Sequence, residues 1–85
     1  MTYRIEVRPA ALRALKNIHP GDRDRIHGAI ALLAREPQPP KALALRGRPG
    51  FRVRVGNFRI IYTVHDDVLL VVVINLGHRQ DVYKK

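Results

Sequence analysis

No cysteine, serine or tryptophan occurs among the 85 residues. Without cysteine there is no disulfide framework, no thiolate metal site and no cysteine nucleophile, and without serine a Ser-His-Asp hydrolase cannot be assembled. Acidic residues are scarce: seven Asp plus Glu stand against sixteen Lys plus Arg, a formal net charge of +9. Long apolar runs are missing too. No stretch approaches the ~18 apolar residues of a membrane span, and the start MTYRIEVRP is too polar for a secretory signal. A cytoplasmic protein without a membrane partner is expected. The four histidines, His19, His27, His65 and His78, show no metal-ligand spacing. Neither a metal nor another cofactor is expected.

What is present fits one small globular domain over residues 1–85, because a chain of this length has no room for a second core. Twelve of the sixteen cations are arginine, whose planar fork grips phosphate in bidentate fashion, so nucleic acid is the leading partner class.

Tyr3, Ile5 and Val7 alternate with Arg4, Glu6 and Arg8 as in a half-buried strand, which Pro9 ends. Pro9 suits a first helical position, and Leu12, Leu15 and Ile18 then recur at helical spacing. After the break at His19, Pro20 and Gly21, a second helix follows with Asp22 and Asp24 near its start and Ile26, Ile30 and Leu33 on one stripe. It ends before Pro37. The segment EPQPPKALALRGRPG reads as an extended loop anchored by Leu43 and Leu45.

The second half reads as strand throughout. FRVRV and FRIIYTVH flank Gly56 and Asn57, the glycine standing where a type II′ turn requires it. VLLVVVINL, 68–76, lacks alternation, which predicts a central strand covered on both faces. Two helices cover only one face, so the other calls for the C-terminal segment or another chain. The architecture expected is α+β, β-α-α-β-β-β, a helical hairpin packed on a small, largely antiparallel sheet.

Between Glu36 and Asp66 there is no acidic residue, yet Lys41, Arg46, Arg48, Arg52, Arg54 and Arg59 all fall there. With Gly56 and Asn57 as the turn, Arg54 faces Arg59 and Arg52 faces Ile61 across the hairpin. Phe51, Val53, Val55, Phe58, Ile60 and Tyr62 then form the core side, and Arg52, Arg54 and Arg59 project from the other. Like charges directly opposite each other destabilise a sheet, a cost that a bound polyanion removes. Lys41, Arg46 and Arg48 extend the same basic interval and are candidate RNA contacts. The tail adds His78, Arg79 and Tyr83, the last two four residues apart and so on one side of any helical turn.

The ordered set LRG, FRVRV, turn, FRIIYTV, acidic turn, apolar strand and GHR..VY resembles the RelE toxins of the RelE/ParE superfamily over essentially the whole chain. The resemblance implies a type II toxin that enters the ribosomal A site and cuts mRNA by 2′-hydroxyl attack. It also implies a cognate antitoxin that holds the toxin inactive, with operator DNA contacted only through the antitoxin complex. The family's catalytic positions fall on Arg52, Arg54, Arg59, Arg79 and Tyr83. Lysines occupy the first two positions in the family's best-known pattern, and arginine cannot lose its proton as lysine can. Proton transfer therefore stays open between His78, Arg79 and Tyr83. Two other readings use the same scaffold: a ParE-like toxin that inhibits DNA gyrase without cutting RNA, and a non-catalytic RNA or ribosome binder.

Overall fold

The computed structural model describes residues 2–78. Strand β1 (Arg4–Val7) leads into helices α1 (Pro9–Lys16) and α2 (Pro20–Arg35). Strands β2 (Leu43–Ala44), β3 (Phe51–Val55), β4 (Phe58–His65) and β5 (Leu70–His78) follow. The sheet runs β1-β5-β4-β3-β2, with β1 parallel to β5 and every other pair antiparallel. This is the expected α+β architecture with one short strand added inside the loop.

Both helices lie on one face. Ala11 and Leu15 of α1, together with Ile26, Ile30 and Leu33 of α2, are buried at helical spacing against Val53, Phe58, Ile60, Tyr62, Val71, Val73 and Leu76 of the sheet. Pro9 and Pro20 occupy first-turn positions, and the His19 ring accepts from the Gly21 N–H at 3.2 Å. Arg23 closes the corner: its Nε donates to the Leu15 carbonyl at 3.1 Å and its Nη2 to the Ile18 carbonyl at 3.0 Å. These bonds serve carbonyls at and just beyond the end of α1, where the Leu15 oxygen also accepts from the Ile18 N–H at 3.2 Å.

The β3–β4 register is the one the turn dictates, Arg52 opposite Ile61, Arg54 opposite Arg59 and Val55 opposite Phe58. Gly56 has φ 59° while Asn57 is not in the positive-φ region, as a type II′ turn demands. At Gly50, φ 124°, a side chain would put Cβ 2.9 Å from the Tyr62 carbonyl oxygen, so glycine alone fits where the chain enters β3.

The structure keeps the strand read over 68–76 inside the sheet, between β1 and β4, and corrects its bounds and parity. Residues 66–69 form the turn, with Leu69 at φ 52°, and β5 starts at Leu70. Alternation fails because Leu70 and Val72, on the face away from the helices, are apolar too, and because Ile61 pairs with Asn75 but Tyr62 with Val73, so Ile74 is bulged out. The bulge resets the parity, and Val71, Val73, Leu76 and His78 all point to the helix side. Among the described residues no helix covers the opposite face. The loop over 36–50 is likewise corrected, since Leu43 and Ala44 pair with Arg52 and Phe51 at the sheet edge.

Tyr62 is fully buried, and its hydroxyl donates to the Pro37 carbonyl at 2.6 Å, tying the proline-rich segment to the sheet. Burial pushes its hydroxyl from 10.0 up to about 12. The folded state thus holds this proton more tightly than the unfolded chain. The stability it contributes is complete below pH 10 and is lost as pH rises from 10 toward 12. Tyr62→Phe is expected to cost about 1–2 kcal/mol at neutral pH, through the lost bond and the unpaired carbonyl. It should also remove this alkaline loss, as denaturant melts at stepped pH will show.

Candidate active site

Hairpin parity builds the site. Arg52, Arg54 and Arg59 leave the sheet on the face opposite the helices, and Leu43 joins them because it pairs with Arg52. Together with Lys41 these four side chains line a cleft of about 310 Å³. The Arg54 Nε donates to the Gly56 carbonyl at 3.3 Å, which holds its guanidinium near the turn. Gly77 stands opposite Arg59 on β5 and adds no side chain beside it. Ile61 lies on this same face, between Arg52 and Asn75 in register, yet is only 1% exposed.

Four cationic groups around one cleft can hold a phosphodiester and meet charge that develops on its nonbridging oxygens. Among the described residues no three His, Asp or Glu come together in a way that could hold a metal ion. The three guanidinium groups and Lys41 are the cations that line the cleft.

Other predicted positions lie elsewhere. Arg46 and Arg48 are exposed in the β2–β3 connection and do not line the cleft. His78 does not join the arginines: Gly77 takes the position opposite Arg59, so the next residue pairs with Phe58 and turns to the helix side. Its ring sits 4.6 Å from that of Phe58 and borders a separate pocket of about 270 Å³ with His19, Asp22 and Arg25. Arg79 and Tyr83 fall outside the described residues. The sequence marks Leu43 only as a loop anchor, and it gives no place in the site to Gly77 or to the buried Ile61. Extending the hairpin register by one strand on either side would have found the first two.

A larger groove of about 590 Å³ runs between α2 and β3 on the other side of the hairpin edge. Ala29, Leu33, Val53 and Val55 line it, as does Leu32, which is 64% exposed. Arg35, Lys41 and Arg54 supply cations at its rim, and the last two belong to the cleft as well.

Comparison with known proteins places this geometry in a family. Residues 5–83 match the ParE toxin of type II toxin-antitoxin system, parDE. The chain belongs to that family, within the RelE/ParE superfamily, and is a toxin of a type II toxin-antitoxin system. It is similar to a Methanocaldococcus jannaschii protein designated toxin RelE1, 26% identical over 88 residues that cover 99% of this chain and 98% of that one. A chain of the Mycobacterium tuberculosis toxin-antitoxin complex RelBE2 superposes with TM-score 0.82 at 27% identity, covering 93% of each chain. A chain of the archaeal RelE-RelB complex from Pyrococcus horikoshii superposes with TM-score 0.79 at 26% identity, covering 93% of this chain and 97% of that one.

Proposed function

We propose that this toxin is an endoribonuclease that cuts mRNA in the ribosomal A site and so stops translation in the cytoplasm. The observation that carries the reading is the cleft, which Arg52, Arg54, Arg59 and Lys41 line together on the sheet face that no described helix covers. In the reaction a 2′-hydroxyl attacks the adjacent phosphorus and the bond from phosphorus to the 5′ oxygen breaks. A 2′,3′-cyclic phosphate and a 5′-hydroxyl result. Arg52, Arg54 and Arg59 clamp the phosphate and stabilise charge on its oxygens. Arg79 and Tyr83, at the family's tail positions, complete the set by contacting the scissile nucleotides. Arg46 and Arg48 strengthen RNA binding through the backbone charge. His78, turned to the helix side, is not assigned a proton-transfer role.

The described part of the cleft contains no paired acid and base. Such a site gains most when the ribosome aligns the substrate for it. Purified toxin should therefore cut mRNA on programmed ribosomes, without added metal, at least ~100-fold faster than the same RNA free in solution. Comparable rates on free RNA would contradict the ribosome-dependent reading.

The partner is a cognate antitoxin, as in the RelE-RelB complex of the Pyrococcus relative. Its amphipathic, acidic segment lays an apolar face on Leu32 and Val55 and acidic residues on Arg35, Lys41 and Arg54. Operator DNA is reached only through that complex. A second reading, inhibition of DNA gyrase without RNA cleavage, is favoured by the ParE description of the matched family. A supercoiling assay with purified gyrase separates the two.

A further inference from the structure

Breaking the bond to the 5′ oxygen creates an alkoxide unless a proton arrives as the bond breaks, and a positioned acid is worth roughly 10²–10⁴ in rate. Three of the four cations in the cleft are poor acids. An arginine guanidinium holds its proton far more tightly than a lysine ammonium does. Arginine is better used as a flat clamp and lysine as a compact, rotatable proton donor. Lys41 is the one cleft-lining residue, among those described, that combines a transferable proton with a positive charge.

Its backbone is held in place. Tyr62 fastens the Pro37 carbonyl to the buried sheet, and the Ala42 N–H donates to the Pro39 carbonyl at 2.9 Å. That bond closes a turn with Pro40 and Lys41 at its centre, and proline fixes its own backbone angle there. Two residues later Leu43 pairs with Arg52. Lys41 thus hangs from a segment anchored on both sides, while its own stem stays exposed.

The strand order also separates the charges. Arg59 is on β4, Arg52 and Arg54 on β3, and Lys41 just before β2, about two strand spacings or ~10 Å across the sheet. An in-line displacement needs the attacking and leaving oxygens on opposite sides of phosphorus. Arginines beneath the phosphate and an ammonium on one flank match that demand. The histidines do not compete. His78 faces the helix side, and His65, at the far end of β4, is bonded to Thr63.

We propose that Lys41 is the catalytic acid, donating its proton to the leaving 5′ oxygen. The inference rests on the endoribonuclease reading. As the 2′ oxygen bonds to phosphorus, its proton passes to solvent and the electron pair of the breaking bond goes to the 5′ oxygen. That oxygen takes the Lys41 proton and departs as a neutral hydroxyl. The amine left behind regains a proton from water before the next turnover.

The test compares single-turnover cleavage on programmed ribosomes of two mRNAs, one natural and one with sulfur replacing the 5′ bridging oxygen at the scissile linkage. A thiolate leaves without a proton. On the natural RNA, Lys41→Ala and Lys41→Arg should each be slowed by ~10² or more, and on the sulfur substrate all three proteins should agree within about threefold. Equal losses on both substrates would overturn the proposal and make Lys41 a charge contact. So would a Lys41→Arg protein with the unaltered rate, or a loss that disappears at saturating toxin. A wild-type protein that cuts neither RNA would overturn the nuclease reading itself, and this assignment with it.

Discussion

Arg59→Ala is expected to lower single-turnover cleavage at saturating ribosomes by about 10²–10³, the scale of removing one preorganised charge donor from a reacting oxyanion. The residue is half-buried, on β4 directly opposite Arg54, and the two converge on the same small volume as Arg52 and Lys41. Groups acting on one phosphate work as a unit, so the Arg54→Ala, Arg59→Ala double variant should lose much less than the product of the single losses. Arg46→Ala and Arg48→Ala, outside the cleft, should act differently. They should weaken binding, lower the salt dependence by about one released counterion each, and leave the saturated rate within a few-fold of wild type. Quench-flow rates across a salt series separate the patterns. An Arg59→Ala protein cutting at the normal saturated rate would remove the hairpin arginines from the chemistry.

Leu32→Glu should release the toxin from its antitoxin. A carboxylate at the wall of the apolar groove has no hydrophobic partner to gain and repels an acidic inhibitor, so affinity should fall by about 30-fold or more, the scale of losing one interface hot spot. Because Leu32 is already 64% exposed, the fold and the cleft should be unaffected. Cells expressing both proteins should survive with the wild-type toxin and arrest with the variant. Calorimetric titration of antitoxin into each toxin measures the difference directly. Unchanged affinity would move the inhibitor's seat away from this groove.

Much of the site was legible because one turn fixes it. Gly56 and Asn57 set the β3–β4 register, and the period of two then sends Arg52, Arg54 and Arg59 to one face without any tertiary information. Parity beyond that hairpin was hidden. Ile74 looks like any other apolar residue in VLLVVVINL, and only the pairing of Ile61 with Asn75 and of Tyr62 with Val73 reveals the bulge. The continuous apolar pattern therefore hid which side each residue faces, and His78 seemed free to join the arginines. Leu43–Ala44 was hidden for another reason. Two residues at an edge carry no periodicity, and what holds them is the neighbouring strand. The role of Lys41 depends on a hydrogen bond from Tyr62, 25 residues away from Pro37, which no local pattern encodes.

Mapping of mRNA 5′ ends after a brief induction of the toxin in growing cells tests the central claim most directly. The account predicts new ends inside coding regions, in phase with the codons and bearing 5′-hydroxyls. They should be absent when translation initiation is blocked beforehand and absent with Arg59→Ala. Intact messages in arrested cells whose plasmids have lost negative supercoiling would contradict it.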